Sequence, residues 1–135
     1  MIELSCHCGT VHLKLAARPE YLHECNCSMC HKSGARWGYF PPSAAQIDGP
    51  TSTYARTDKA DPGALFHFCP TCGCTTHFTL SASAIERHGN VVMGVNLRFA
   101  DETALAGIEL RFPDGAAWDG EGAFGYVREP RVLGS

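Results

Sequence analysis

Eight cysteines fall into three short clusters whose spacing is typical of metal ligands. The clusters read Cys6-His-Cys8-Gly9, Cys25-Asn-Cys27-Ser-Met-Cys30 and Cys69-Pro-Thr-Cys72-Gly73-Cys74. A structural zinc ion takes four protein ligands, whereas a catalytic zinc ion takes three and keeps one position open. The outer clusters can each supply two thiolates, and the middle cluster can supply three. The pattern therefore predicts one structural zinc on Cys6, Cys8, Cys69 and Cys72, and one reactive zinc on Cys25, Cys27 and Cys30.

Three thiolates on a zinc ion favour a particular chemistry. They donate strongly to the metal and make it a weak Lewis acid, so activation of water at the open position is modest. Capture of a thiol is favoured instead, because a coordinating thiol loses its proton. A captured thiolate beside a carbonyl carbon forms a hemithioacetal. The middle cluster therefore indicates addition of a thiol to a small aldehyde, or the reverse reaction.

A disulfide framework is the main alternative use of the cysteines, because even cysteine counts are typical of small secreted proteins. The chain opens Met1-Ile-Glu-Leu-Ser without the charged and apolar regions of a secretory signal, so we expect a cytoplasmic protein. Glycines follow Cys8 and Cys72, where a metal-binding turn needs a positive φ. Zinc suits all-thiolate ligation, although ligand softness alone leaves iron open.

Composition limits the classes of partner. A length of 135 residues fits a single domain over residues 1–135, with a hydrophobic content of 44%. The formal charge of −3 and a pI near 6.1 argue against nucleic-acid binding. No apolar run approaches the roughly 20 residues of a membrane helix, so we expect no membrane partner. The oligomeric state is left open.

The elements that must position the cysteines are mostly strands. Apolar residues alternate over residues 11–15, and residues 36–40, 65–69, 75–80, 90–96 and 108–112 also favour strands. The third cluster is predicted to be the turn of a hairpin, and the middle cluster a polar loop. Residues 43–47 predict a helical turn, and residues 101–106 a short helix with Asp101 near its N-cap. The pattern predicts a mostly β domain.

The three clusters together resemble the glutathione-dependent formaldehyde-activating enzyme family, which also includes centromere protein V-type domains. The motifs that carry the resemblance are Cys6-His-Cys8-Gly9, Cys25-Asn-Cys27-Ser-Met-Cys30-His-Lys-Ser-Gly34 and Phe68-Cys69-Pro-Thr-Cys72-Gly73. The resemblance implies a β-tent of stacked antiparallel sheets with two zinc ions bound as above. It also implies S-(hydroxymethyl)glutathione synthase activity, formally that of a carbon–sulfur lyase, with glutathione and formaldehyde as partners.

Two departures from the family pattern concern the open site. The chain is shorter than the enzymes that gave the family its name, which puts some glutathione contacts in doubt. Cys74 stands where the family more often has serine or threonine, and it would close the open site if it reached the middle zinc. The alternative is a small buried side chain.

Basic residues directly after the middle cluster are candidate substrate contacts. The charges of His31, Lys32 and Arg36 could attract the carboxylates of glutathione, although a solvated basic loop explains them equally well. His23, His67 and His77 lie near cysteines in sequence, where they could support thiolates or be ordinary core or surface residues. Trp37, Tyr39 and Phe40 could line a pocket or belong to the core.

Other functions fit the same cysteines. A non-catalytic, zinc-structured interaction module is the principal alternative to an enzyme. A redox switch is also open, because a three-thiolate loop could lose zinc and form a disulfide on oxidation. A zinc-ribbon nucleic-acid binder is disfavoured by the charge and by the scattered lysines and arginines.

Overall fold

The structure is a computed structural model, and it describes residues 1–120 and 122–134. Strands dominate the fold, and two α-helices and four short 3-10 helices connect them in the described residues. The strands are β1 (Ile2–Ser5), β2 (His12–Leu15), β3 (Tyr21–His23), β4 (Trp37–Phe40), β5 (Ala45–Asp48), β6 (Ser52–Ala55), β7 (Ala64–Phe68), β8 (Thr75–Leu80), β9 (Met93–Asn96), β10 (Glu109–Arg111) and β11 (Arg131–Val132). The helices are α1 (Ser28–Ser33) and α2 (Ala82–His88).

The strands of the described residues form two sheets. A three-stranded sheet has the order β1-β2-β5, and an eight-stranded sheet has the order β11-β10-β3-β4-β9-β8-β7-β6. Pairing between neighbours is antiparallel except between β3 and β10, which run parallel in the described part of the chain. The prediction of a mostly β domain is confirmed. The parallel pair of β3 and β10 departs from the purely antiparallel sheets that the family resemblance implies.

Apolar side chains of both sheets share one core. In β2, Leu13 and Leu15 are fully buried, whereas His12 and Lys14 face solvent. The same core cluster includes Val95 of the larger sheet, so the sheets pack face to face through it. Alternation with period two places every second side chain on one face, which explains why β2 could be recognised from sequence.

Helix α1 was not expected, because its six residues carry no apolar periodicity. It starts at an N-cap, Cys27, whose sulfur accepts the backbone N–H of Cys30, and it ends at Gly34 with a φ of 69°. The N–H of Gly34 donates to the carbonyl oxygen of Cys30. A glycine in this left-handed conformation is the usual end of a helix. The prediction of a polar loop for the middle cluster is therefore wrong from Ser28 onward.

The predicted helical turn at residues 43–47 is also wrong over most of its length. A 3-10 helix occupies Pro42–Ala44, and β5 then begins at Ala45. Ala45 and Ile47 turn inward and pair with β2 in the smaller sheet, so pairing and burial override the local signal. The short helix predicted at residues 101–106 is confirmed as a 3-10 helix over Glu102–Leu105, with Asp101 at its N-cap.

The predicted hairpin around the third cluster is confirmed. Strands β7 and β8 pair antiparallel on either side of the cysteine turn, with a shift in register between His67 and Phe68. No helix in the described residues is both long enough and apolar enough to cross a membrane.

Candidate functional site

The outer clusters form a group of four thiols. Cys6 and Cys8 lie between β1 and β2, and Cys69 and Cys72 lie between β7 and β8. Their Sγ atoms all lie within 4.8 Å of one another. The Cys6–Cys8 sulfur separation is 3.7 Å and the Cys8–Cys69 separation is 3.6 Å. Tetrahedral zinc with its usual zinc–sulfur distance needs sulfurs about 3.8 Å apart, so these four thiols fit a zinc ion.

Two glycines shape the turns that carry these thiols. Gly9 has a φ of 81° and Gly73 a φ of 79°, as the sequence predicts for the residues after Cys8 and Cys72. Each glycine closes its turn by donating its N–H to the carbonyl oxygen of the first cysteine, Gly9 to Cys6 and Gly73 to Cys69. These turns bring two thiols from each segment to the same point.

Backbone N–H groups point at the sulfurs of this group. Val11 donates to the Cys6 sulfur at 3.3 Å, and Thr71 donates to the Cys69 sulfur at 3.4 Å. Hydrogen bonds to the charged form of a group lower its pKa. The pKa of Cys72 falls to about 5, chiefly through a hydrogen bond from the backbone of Cys74. At Cys72 the turn therefore favours the thiolate, the form that binds zinc.

Cys74 belongs to neither group of thiols among the described residues. Its side chain is half-buried and packs against the main core cluster, which includes Cys6 and Cys69. Its carbonyl oxygen accepts the N–H of Cys69. Cys74 therefore lies beside the four-thiol group, and the three-thiol group has no fourth cysteine in the described residues.

The middle cluster forms a group of three thiols. Cys25 follows β3, Cys27 caps α1 and Cys30 lies within α1, and their Sγ atoms lie within 4.8 Å of one another. Each sulfur accepts one N–H: Cys25 from the backbone of Cys27 at 3.4 Å, Cys27 from the backbone of Cys30 at 3.4 Å, and Cys30 from the indole of Trp37 at 3.3 Å. Soft donors at this spacing fit a zinc ion with one position left for another ligand.

In the absence of a metal ion, the three thiols differ in pKa. The pKa of Cys27 is lowered, mainly because the thiol of Cys25, and then that of Cys30, donates to its sulfur. The same contacts raise the pKa of Cys25 and of Cys30. A bound zinc ion would remove this difference, because a coordinating thiol is deprotonated outright.

A segment near the end of the chain covers one side of the three thiols. A Cβ atom added at Gly115 would lie 2.2 Å from the Cys25 sulfur, so only glycine allows the backbone this close. Asn26 fixes the approach: its amide donates to Asp114 at 2.9 Å, and its amide oxygen accepts the N–H of Ala116 at 2.9 Å. The sequence carries no local signal for this segment, because it lies some ninety residues from the cluster.

An aromatic group adjoins the three thiols through Tyr39, which packs on the cluster that contains Cys27 and Cys30. The Tyr39 hydroxyl is 2.9 Å from Nδ1 of His23, which is 3% exposed. Nε2 of His23 is buried and has no hydrogen-bond partner within the described residues. Burial, and then the charge of Arg111, lowers the pKa of His23 to about 4. The rings around His23 also include those of Tyr21, Phe124 and Tyr126.

The basic residues predicted as substrate contacts occupy two environments. His31 and Lys32 are exposed in the last turn of α1, where they can meet a ligand from solvent. The Arg36 guanidinium is buried and lies 3.6 Å from Glu24 and 3.7 Å from Glu102. Its charge is therefore matched by carboxylates of the protein itself.

Arg56, at the end of β6, is a further charged residue at the three-thiol group. Its Nη2 donates to the hydroxyl of Ser28 at 3.1 Å, and Ser28 directly follows Cys27. Asp58 accepts two hydrogen bonds from the same guanidinium, at 2.9 and 2.6 Å. Arg56 could not be recognised from the sequence, because it is a single arginine beside a polar loop with no motif around it.

Fold and site together define a class: a two-sheet β protein with one group of four thiols and one of three, both able to hold a metal ion. Comparison with protein families matches residues 1–106 to the family described as glutathione-dependent formaldehyde-activating enzyme. The chain belongs to this family.

A solved structure agrees with this assignment of the fold. The crystal structure of a Rhodobacter sphaeroides protein is similar to this chain, with a TM-score of 0.58 and 26% sequence identity. The similarity covers 74% of this chain and 88% of that chain. The comparison with curated proteins gave no match.

Proposed function

We propose that the protein is a zinc-dependent carbon–sulfur lyase acting on thiol–aldehyde adducts, similar to S-(hydroxymethyl)glutathione synthase. The observation that carries the proposal is the difference between the two groups of thiols: four in the outer group and three in the middle one. A metal ion held by three thiols can accept a substrate sulfur as its next ligand. Family membership supports glutathione as the thiol and formaldehyde as the aldehyde.

Cys25, Cys27 and Cys30 are the proposed ligands of the catalytic zinc, and Cys6, Cys8, Cys69 and Cys72 those of a structural zinc. When bound, the catalytic metal would keep the substrate sulfur ionised. The chain itself would orient the ligands of this metal, because Trp37 donates to Cys30 within α1, and Cys27 is the N-cap of the same helix. The backbone at Gly115 covers Cys25, so the substrate must approach from another side.

The proposed reaction balances without an oxidant or a reductant. The substrate sulfur attacks the aldehyde carbon, a carbon–sulfur bond forms, and the carbonyl π electrons move to oxygen. The oxygen then takes a proton from solvent, which replaces the proton that the thiol released on binding. The reverse sequence breaks the carbon–sulfur bond and returns thiol and aldehyde.

His31, Lys32 and Arg36 are the proposed contacts for the carboxylates of glutathione. The exposure of His31 and Lys32 supports this role. Arg36 has weaker support, because Glu24 and Glu102 already pair with it. A chain folded as one domain over residues 1–135 fits a core cluster that extends from Leu4 to Leu133. A cytoplasmic location fits eight free thiols, which a reducing compartment preserves.

The test is the rate at which the zinc-loaded protein forms S-(hydroxymethyl)glutathione from glutathione and formaldehyde. We expect catalysis above the spontaneous reaction in the wild type, and none in Cys27→Ser. Cys74→Ser is the matched control, because Cys74 lies outside both groups of thiols. A folded Cys27→Ser variant with full activity would contradict the mechanism. A wild type inactive with every thiol and aldehyde tested would favour the non-catalytic interaction module.

A further inference from the structure

Arg56 brings a positive charge to the three-thiol group from a different part of the fold. It directly follows β6, the strand at one edge of the larger sheet, and its guanidinium reaches Ser28 at the start of α1. Ser28 lies between Cys27 and the turn of helix that carries Cys30. The guanidinium therefore lies next to the residue that follows Cys27, rather than free in solvent.

The guanidinium is held in place before any ligand binds. Asp58 accepts from both Nε and Nη2 of Arg56, a bidentate contact that fixes the plane of the group. The Arg56 side chain is 15% exposed, whereas that of Asp58 is 55% exposed. Water therefore screens the carboxylate more than the guanidinium.

The net charge of the metal site determines which ligand a nearby cation favours at the open position. A divalent metal ion with three thiolates carries a net charge of −1. A neutral water molecule at the open position leaves this charge unchanged, whereas a thiolate makes it −2. A fixed cation at the site lowers the energy of the thiolate-bound state relative to the water-bound state. It therefore favours an anionic ligand over water.

We propose that Arg56 is a specificity-determining residue that makes the open position select a thiolate over water. The inference rests on the proposed function, since it requires a metal ion on Cys25, Cys27 and Cys30. The ligand class is an alkyl thiol, and the preference is set by its sulfur and not by its tail. Arg56 acts through charge at the open position, so its effect extends to thiols that carry no carboxylate.

The test measures thiol binding and not turnover. Cobalt(II)-loaded protein is titrated with 2-mercaptoethanol, which has an uncharged tail, and separately with glutathione, with the sulfur-to-cobalt absorption as readout. Arg56→Gln should bind both thiols about tenfold more weakly, a change of about 1.4 kcal/mol. Arg56→Lys should recover part of the affinity, because it keeps the charge but loses the planar fork. Arg87→Gln is the matched control, since Arg87 also pairs with an aspartate, Asp61, through a single hydrogen bond.

Three outcomes would overturn the proposal. Equal affinity for both thiols in Arg56→Gln and wild type would show that the charge has no effect on the ligand. A loss confined to glutathione would show that Arg56 recognises a carboxylate. Loss of cobalt from both Arg56 variants would show that Arg56 is needed to hold the three-thiol group in its metal-binding arrangement.

The role of Arg56 in thiol binding and the proposed lyase activity can each fail without the other. A wild type that binds thiols as described but lacks lyase activity removes the proposed function and leaves the role of Arg56 standing. Full lyase activity together with unchanged thiol affinity in Arg56→Gln removes the role of Arg56 and leaves the proposed function standing.

Discussion

At the scale of single residues, the three-thiol group is organised by what donates to its sulfurs. Two of the donors are backbone N–H groups of the motif itself, and the third is the indole of Trp37. Backbone donors follow from the spacing of the cysteines and are available to any similar turn. The indole comes from β4, outside the cysteine motif, and the 2% exposure of Trp37 keeps the contact out of water.

Replacing Trp37 by phenylalanine removes the N–H donor and keeps an aromatic ring. We expect the middle site to bind zinc about tenfold more weakly, because contacts that support metal ligands contribute about 10–100-fold to affinity. Competition with a chromogenic chelator measures this. The four-thiol site is an internal control and should keep its metal. Unchanged affinity at both sites would show that the indole serves only as core packing.

Gly115 permits the close approach of the terminal segment to Cys25. Gly115→Ala would place a methyl group 2.2 Å from the Cys25 sulfur, so the thiol or the segment must move. We expect the middle site to lose most of its zinc, measured by elemental analysis. Gly125→Ala is the control, because no atom lies within 4 Å of its added Cβ. Equal zinc content in the two variants would contradict this account of the site.

At the scale of elements, the last part of the chain completes the site although it lies beyond the family match, which ends at residue 106. Strand β10 pairs with β3 in parallel and so directs the following residues toward Cys25, which follows β3. Gly115 then covers Cys25, and the ring of Phe124 lies 5.7 Å from that of His23. This segment therefore contributes to the three-thiol site from outside the residues that match the family.

Strands β7 and β8 carry two stacked histidines, the half-buried His67 and the buried His77, whose ring centroids are 4.1 Å apart. Burial, and then the charge of His67, lowers the pKa of His77 from 6.5 to about 3. Between these values the unfolded chain binds more protons than the folded one. Stability is therefore complete above pH 6.5 and falls as the pH decreases toward 3.

The variant His77→Asn removes this titration and keeps a polar partner for Thr76, which lies 2.8 Å from Nδ1 of His77. We expect the wild type to lose about 1–2 kcal/mol more unfolding free energy than the variant between pH 7 and pH 5. Denaturant melts at both pH values measure the difference. His88→Asn, at an exposed position, should behave as the wild type. Parallel pH profiles for His77→Asn and wild type would show that His77 is not held neutral.

At the scale of the whole molecule, the four-thiol site links the two sheets. Cys6 and Cys8 lie between strands of the smaller sheet, and Cys69 and Cys72 between strands of the larger one. Metal binding to ligands that are far apart in the unfolded chain contributes directly to folding. The middle group, by contrast, lies within one short stretch of chain and holds no distant strands together.

Cys72→Ser should therefore abolish cooperative unfolding, with a loss of more than about 5 kcal/mol, comparable with the whole stability of a small domain. Cys27→Ser should keep the wild-type circular dichroism spectrum and a cooperative thermal transition. A stable Cys72→Ser variant would contradict the structural role of the outer site.

The sequence predicts the parts of this molecule that depend on short-range patterns. Alternating leucines gave β2, and the spacing of cysteines gave both groups of thiols that the structure brings together. Helix α1 was missed because a cysteine sulfur supplies its cap in place of a hydroxyl or carboxylate. Arg56 and Gly115 were missed because each reaches the thiols from a distant segment, and a single chain offers no local signal for such contacts.

The metal content of the purified protein and of Cys27→Ser tests the central claim most directly. Elemental analysis should give two zinc ions per chain in the wild type and one in the folded variant. Cys74→Ser should retain two. One zinc ion in both wild type and Cys27→Ser would show that the middle cluster holds no metal, and two in both would show that Cys27 is not needed to bind it. Either result would contradict a structural and an open site in the same chain.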